Sequence, residues 1–304
     1  MPFVMQHGKL MISIASLGVN KQFNYDRYFQ IVPFGPDGKS ALSRGFFDIA
    51  ATMTPPPKTV ALVGADAEFS RTALEGARAH AAEHKLDVVY DRGYPPGTVD
   101  FLPIVRSIKA ANPELVFIAS YPLDTVGMLI AVGEVGLDAK MVGGALVGLS
   151  YTAIKSRLGE KLNGVITYSD YVPASTLNFP GIETFLATYQ KRAAEAGIDP
   201  LGHEVPPYAY AGLQALAQAM LAAGSTDPEK VAAHMHKSVF KTVVGEVAFG
   251  GDGEWARPRL LTIQFQNVHG SGIEQFNRPG TMVIIDPPQY KSGKLKYPFA
   301  GARE

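Results

Sequence analysis

Residues 59–70, TVALVGADAEFS, join a β-branched apolar run to a glycine and then to the first residues of a helical pattern. This order predicts one strand followed by one helix. Four further apolar runs predict strands at Leu86–Tyr90, Leu115–Ala119, Lys140–Gly143 and Gly164–Tyr168. Apolar runs without alternation, separated by helices, are typical of a parallel sheet covered on both faces. The sequence therefore predicts an α/β fold.

Two changes of pattern indicate how the chain is divided. After Pro173 the sequence predicts helices at about residues 179–196 and 208–223, and strands return from Thr242. Prolines at 55–57 and 173 mark the changes, as expected of boundaries between lobes joined by a hinge. We expect the two lobes to comprise residues 1–57 with 174–257, and residues 58–173 with 258–304.

The start of the chain departs from this regular series. Leu10–Ser16 (LMISIAS) and Tyr28–Val32 each have the pattern of a buried strand. Nothing upstream supplies the neighbouring strands that a parallel sheet needs, and the first ten residues lack the basic and apolar regions of a signal peptide. We therefore expect a two-lobed binding protein that lacks its first β-α units, so that the first lobe is incomplete.

Composition excludes several classes of protein. The chain has 28 lysine and arginine residues and 28 aspartate and glutamate residues. It therefore lacks the excess of positive charge that is typical of nucleic-acid-binding proteins, and we expect no nucleic-acid partner. The chain has no cysteine, which excludes disulfides, thiolate metal sites and cysteine nucleophiles. No segment reaches about 18 uninterrupted apolar residues, the length that favours a membrane helix.

Motifs for catalysis or metal binding are also missing. His80 and His84 are four residues apart, but HAAEH is not the HExxH pattern of zinc proteases. The glycine-rich stretch at residues 250–254 is better explained as a hairpin turn. There is no GxGxxG, Walker loop or GxSxG motif. We expect no catalytic residue, no metal site and no cofactor.

Six segments carry a resemblance to a known family. They are VALVGADAEFS (60–70), YPPGTVDFLPIVRSIKAANPELVFIASYP (94–122), MLIAVGEVGLDAKMVGG (128–144), YAYAGLQALAQAMLAAGSTDPEKVAAHM (208–235), FKTVVGEVAFGGDGEW (240–255) and IIDPPQYKSGKLKYP (284–298). In order and spacing they resemble the branched-chain amino-acid (leucine/isoleucine/valine) binding family of type I periplasmic solute-binding proteins of ABC transporters. The resemblance implies a two-lobed, hinge-connected α/β receptor whose parallel sheets are flanked by helices, with its ligand between the lobes. It also implies a periplasmic location, an inner-membrane ABC permease as partner, and no enzymatic activity.

The resemblance also implies which residues contact the ligand. In the family, the loop after the strand that resembles LMISIAS contacts the ligand carboxylate, and here it comprises Ala15, Ser16 and Leu17. In relatives, an aromatic residue packs on the ligand, and Phe69 lies at the matching position. Another residue lines the cleft in relatives, and its match is Tyr121, which directly follows an apolar strand. Structural roles remain open as alternatives: a loop hydrogen bond for the serine, a core contact for the phenylalanine, and exposure to solvent for the tyrosine.

One departure from the family bears on the ligand. Relatives place a glutamate after the strand that resembles residues 140–144, where it pairs with the ligand ammonium, but this chain has Gly144, Ala145 and Leu146 there. Gly144 and Ala145 are predicted to line the site. A buried ammonium without a carboxylate is costly. We therefore expect the ligand to be a small carboxylate, such as an aromatic acid, rather than leucine.

Three functions follow from these patterns. The first is an extracytoplasmic substrate-binding protein of an ABC importer, in which the ligand shifts an open–closed equilibrium. The alternatives are a cytosolic ligand sensor of the same fold and an α/β enzyme, because a fold alone does not decide function.

Overall fold

A computed structural model describes residues 1–14 and 16–300. The chain divides into two compact units. Unit 1 comprises Met1–Gly38 and Leu177–Leu260, and unit 2 comprises Lys39–Thr176 and the described residues from Leu261 onward. Among the described residues, no helix is both long and apolar enough to cross a bilayer.

Strands and helices are numbered in chain order. The strands are β1 Met11–Ser13, β2 Tyr28–Gln30, β3 Thr59–Ala65, β4 Asp87–Tyr94, β5 Leu115–Ser120, β6 Met141–Leu146, β7 Ile166–Ser169, β8 Val239–Thr242, β9 Gly245–Ala248, β10 Leu261–Phe265 and β11 Met282–Asp286. The helices are α1 Pro2–Gln6, α2 Asn20–Phe23, α3 Gly38–Ala51, α4 Glu68–Glu83, α5 Leu102–Ala110, α6 Pro122–Val135, α7 Thr152–Leu158, α8 Ile182–Ala196, α9 Val205–Ala223 and α10 Pro228–Met235.

Unit 2 is built on one mostly parallel sheet. Its strand order is β11-β10-β7-β6-β5-β3-β4, and the five strands from β7 to β4 are parallel to one another. Every residue of β5 and β6 is buried, as are all residues of β3 after the first. This is the burial that non-alternating apolar runs predict. In contrast, β4 lies at the edge of the sheet and is mostly exposed.

Strand β6 is longer than the sequence predicted. It continues three residues past Gly143, because Gly144, Ala145 and Leu146 pair with β5. The predicted end of this strand at Gly143 was therefore wrong. At Gly143 the neighbouring strand leaves no room for a side chain: an added Cβ would lie 1.9 Å from the carbonyl oxygen of Ile166.

Helix α3 was not predicted from the sequence. It buries Leu42, Phe46 and Phe47, and the two phenylalanine rings lie 5.4 and 5.8 Å from the ring of Phe117 in β5. Apart from its first residue, the helix belongs to unit 2, whereas the predicted lobe 1–57 would include it in the other lobe. The predicted lobe boundaries stay a prediction.

In its described residues, unit 1 contains two small sheets, the long helices α8 and α9, and the shorter helices α1, α2 and α10. Strands β1 and β2 are parallel, with Met11 opposite Tyr28, and β8 and β9 form an antiparallel hairpin. The strand predicted at Leu10–Ser16 is therefore shortened to three residues. Helix α10 begins at a capped end: one carboxylate oxygen of Asp227 accepts hydrogen bonds from the N–H groups of Glu229 and Lys230, both at 3.1 Å.

Candidate ligand-binding site

The carboxyl ends of β3, β5 and β6 lie at one edge of the unit 2 sheet, because these strands are adjacent and parallel. Ligands of open α/β sheets bind at this edge. Phe69 lies in the first turn of α4, shortly after β3, and Tyr121 directly follows β5 as the N-cap residue of α6. The topology therefore places both predicted site residues at the same edge.

Phe69 and Tyr121 are in direct contact. The backbone N–H of Phe69 donates a hydrogen bond of 3.2 Å to the Tyr121 hydroxyl oxygen. Their ring centroids are 6.0 Å apart, with an angle of 71° between the planes, which is the edge-to-face geometry that aromatic pairs prefer. Both side chains are half-buried. The Tyr121 oxygen is an acceptor in this bond, so its own hydrogen can be donated to an anionic group.

A buried network of hydroxyl groups supports this edge. The Thr125 hydroxyl donates to the Tyr121 carbonyl oxygen at 2.9 Å and accepts from the Gly148 N–H at 3.2 Å. The Ser120 hydroxyl lies 2.7 Å from the same Thr125 oxygen. These bonds connect the end of β5, the start of α6 and the turn after β6. The backbone around Tyr121 is therefore fixed before any ligand binds.

Gly144 and Ala145 lie inside the sheet rather than in the loop at its edge. Gly144 pairs with Ile118 and Thr167, and Ala145 pairs with Ala119. Strand β6 ends at Leu146, one residue after Ala145. Neither Gly144 nor Ala145 takes part in the contact between Phe69 and Tyr121. Their role as ligand contacts stays a prediction.

The predicted carboxylate-binding loop belongs to unit 1, and Ala15 lies outside the described residues. The hydroxyls of Ser13 and Ser16 are hydrogen bonded to each other. The carbonyl oxygen of Ser16 accepts bonds of 3.1 Å from the Tyr28 hydroxyl and the Gln30 amide. Ser16 therefore has the loop-stabilising contacts that were the alternative to a ligand role. Ligand contacts by Ala15, Ser16 and Leu17 stay predictions.

Glu254 is a buried acid that the sequence did not single out. It is only 3% exposed, and burial together with the negative charge of Asp252 raises its pKa to about 8, against a smaller opposing effect of Lys21. Its charge also contributes to the raised pKa of Tyr28, whose main cause is burial. The carboxyl group therefore keeps its proton at neutral pH.

Replacing Glu254 by glutamine is expected to weaken the pH dependence of stability. The folded pKa lies above the unfolded value of about 4.3, so between these values the folded state holds a proton that the unfolded state has released. Stability is therefore lost as pH rises through this window, by at most about 1.4 kcal/mol per pH unit. Denaturant unfolding from pH 5 to pH 8 should give a shallower decline for Glu254→Gln than for the wild type. Equal declines would contradict this assignment.

Two buried carboxylates near the candidate edge were also missed. Asp124, in the first turn of α6, accepts a hydrogen bond of 3.3 Å from the Tyr94 hydroxyl. Asp170 directly follows β7 and is 8% exposed, so it lies at the carboxyl end of the strand next to β6. Acidic residues after a strand are usually solvated, and the sequence carried no signal of their burial.

Comparison with known proteins identifies the family. Residues 1–262 match the sequence profile of the periplasmic binding proteins. The chain belongs to this family. The predicted resemblance and the predicted type I periplasmic-binding-protein fold are both confirmed.

Curated and structural relatives of this periplasmic binding protein agree with that assignment. The Leu/Ile/Val-binding protein homolog 1 of Brucella suis is 29% identical over 175 residues, which is 57% of this chain and 44% of the relative. The chain thus spans less than half of that protein's length. A protein from Silicibacter pomeroyi, named a putative branched-chain amino acid ABC transporter, has the same fold. The TM-score is 0.77 at 17% identity, covering 98% of this chain and 77% of the other. A solute-binding protein from R. palustris in complex with benzoate gives a TM-score of 0.72 at 14% identity, covering 93% of this chain and 72% of the other.

Proposed function

We propose that this periplasmic binding protein is the extracytoplasmic substrate-binding component of an ABC importer, and that it delivers a small carboxylate to an inner-membrane permease. An aromatic acid suits the site better than leucine does. The observation that carries the proposal is the contact between Phe69 and Tyr121 at the carboxyl edge of the unit 2 sheet. It offers aromatic surface together with a hydroxyl donor.

The chemistry at this edge supports a ligand without an ammonium group. Residues 144–150, GALVGLS, form the end of β6 and the turn after it and contain no acidic residue. A buried ammonium would find no carboxylate partner in this segment, and such a charge is costly to bury. The relative from R. palustris binds benzoate, an aromatic acid without an ammonium group.

Asp170 favours a second candidate, an amino acid, because it places one carboxylate at the end of the adjacent strand. The Asp170→Asn variant separates the two candidates. For an aromatic acid without an ammonium group, we expect the dissociation constant of benzoate to change by less than about threefold, since the substitution removes no ligand contact. Calorimetric titration of folded wild type and variant measures this. Leucine binding that is lost in Asp170→Asn would contradict the proposal.

The ligand class is tested by two molecules that differ only in the ammonium group, leucine and 4-methylpentanoate. The proposed site predicts that 4-methylpentanoate binds at least as tightly as leucine, and that benzoate binds more tightly than either. A preference for leucine of about tenfold or more, equal to 1.4 kcal/mol, would contradict it. Recovery of the bound acid unchanged after incubation distinguishes a binding protein from an enzyme, because turnover would consume it.

A further inference from the structure

Unit 1 contains a groove of about 730 Å³ between α8 and α9. Three aromatic rings line it in a row. The ring of Phe185 stacks on that of Tyr210, with centroids 5.0 Å apart and planes at 29°, and on that of Tyr189 at 6.3 Å and 27°. Tyr210 is 44% exposed, so this aromatic row presents ring surface to solvent.

The remaining lining is apolar apart from a few polar groups. Ile198 lies beyond the end of α8, and Val243 lies in the turn between β8 and β9. The side-chain oxygen of Gln214 accepts a bond of 2.9 Å from the Val243 N–H, which fixes the amide at the groove. A concave surface of this size, apolar with a few placed polar groups, is typical of small-molecule sites.

The charge of the groove indicates which small molecules fit. Arg192 is its one charged lining residue, and no aspartate or glutamate lines it. In the part of the chain that the structure describes, Arg192 forms no ion pair. A guanidinium group binds carboxylates through two parallel hydrogen bonds and also stacks on aromatic rings. The lining therefore combines aromatic surface with one cation.

We propose that the groove between α8 and α9 is a second binding site, which takes a small planar aromatic anion. The aromatic ring of the ligand packs on Tyr210 and Phe185, and its acidic group pairs with Arg192. All of these residues belong to unit 1, whereas Phe69 and Tyr121 belong to unit 2. The proposal does not depend on the proposed transport function, and each can fail without the other.

The test uses 2-naphthoate, a fluorescent planar aromatic anion, and its neutral analogue 2-naphthalenemethanol. Titrations followed by fluorescence anisotropy are carried out in a Tyr121→Ala background, which disables the candidate site on unit 2. Adding Tyr210→Ala is expected to weaken 2-naphthoate binding by about two- to tenfold, the range for loss of one aromatic contact. Adding Arg192→Gln is expected to abolish the preference for 2-naphthoate over the neutral analogue. Circular dichroism confirms that each variant is folded.

Leu213→Ala provides the matched control, because Leu213 is 64% exposed on α9 but does not line the groove. This substitution should leave 2-naphthoate binding unchanged. Three results would overturn the proposal: no binding up to about 1 mM, equal losses in Tyr210→Ala and Leu213→Ala, or a preference for the anion that survives Arg192→Gln.

Discussion

The Tyr121→Ala variant is expected to bind benzoate about 10- to 100-fold more weakly than the wild type. The substitution removes an aromatic contact and a hydroxyl donor at once, and tyrosines contribute strongly to binding at many sites. A hydrogen bond to a carboxylate is stronger than one between neutral groups. Because Tyr121 is half-buried and follows β5 rather than forming part of it, the sheet should still fold. Calorimetric titration gives the change in affinity.

Two further variants separate the contributions of Tyr121. Tyr121→Phe keeps the ring and loses the donor, so we expect an intermediate loss of about three- to tenfold. Tyr151→Ala removes a tyrosine that is 50% exposed and lies just before α7, and it should leave benzoate affinity unchanged. Wild-type affinity in Tyr121→Ala, or an equal loss in Tyr151→Ala, would show that the ligand binds elsewhere.

The Gly143→Ala variant is expected to lower the free energy of unfolding by about 3 kcal/mol or more. A Cβ at this position would lie 1.9 Å from the carbonyl oxygen of Ile166, closer than any real contact, and it would be fixed rigidly to the backbone of a strand that pairs with the strand of Ile166. No side-chain rotation can relieve the clash, so β6 and β7 would have to separate. Overpacking of this kind destabilises by about 1–3 kcal/mol and sometimes more. Denaturant unfolding measures the loss.

Gly93→Ala is the matched control, because it makes the same substitution in the same sheet. Gly93 lies in the exposed edge strand β4, where an added Cβ would be 3.6 Å from its nearest neighbour. The substitution should be neutral or stabilising by about 0.5 kcal/mol, since alanine loses less backbone entropy than glycine on folding. Equal destabilisation by the two variants would contradict the close approach of β6 and β7.

The sequence predicted the series of strands and helices from Thr59 to Tyr168 because buried parallel strands form apolar runs that few other structures share. It did not predict α3, although Leu42, Phe46 and Ile49 recur at helical spacing. The glycines at 38 and 45 obscured that helix. Glycine is required at position 45 because the side chain of Thr262 packs close to the helix there, and an added Cβ would clash with it.

The sequence identified Phe69 and Tyr121 individually as candidate site residues, but it did not predict that they contact each other. Phe69 and Tyr121 are 52 residues apart, and only the pairing of β3 with β5 brings them together. Strand order is not encoded in the apolar pattern of either strand. Glu254 was not predictable as a buried acid, because it follows a glycine-rich turn that is usually solvated. The neighbouring Gly253 is held beside β2, because its carbonyl oxygen accepts a hydrogen bond of 2.8 Å from the Gln30 N–H.

An aromatic carboxylate is proposed to bind beside Phe69 and Tyr121. A crystal structure of the chain with 3-iodobenzoate would show where the ligand binds, because the anomalous signal of iodine locates it without interpretation of weak density. We predict an iodine peak next to the Phe69 and Tyr121 rings, with the carboxylate accepting a hydrogen bond from the Tyr121 hydroxyl. A structure in which this position is empty while iodine occupies another part of the protein would contradict the claim.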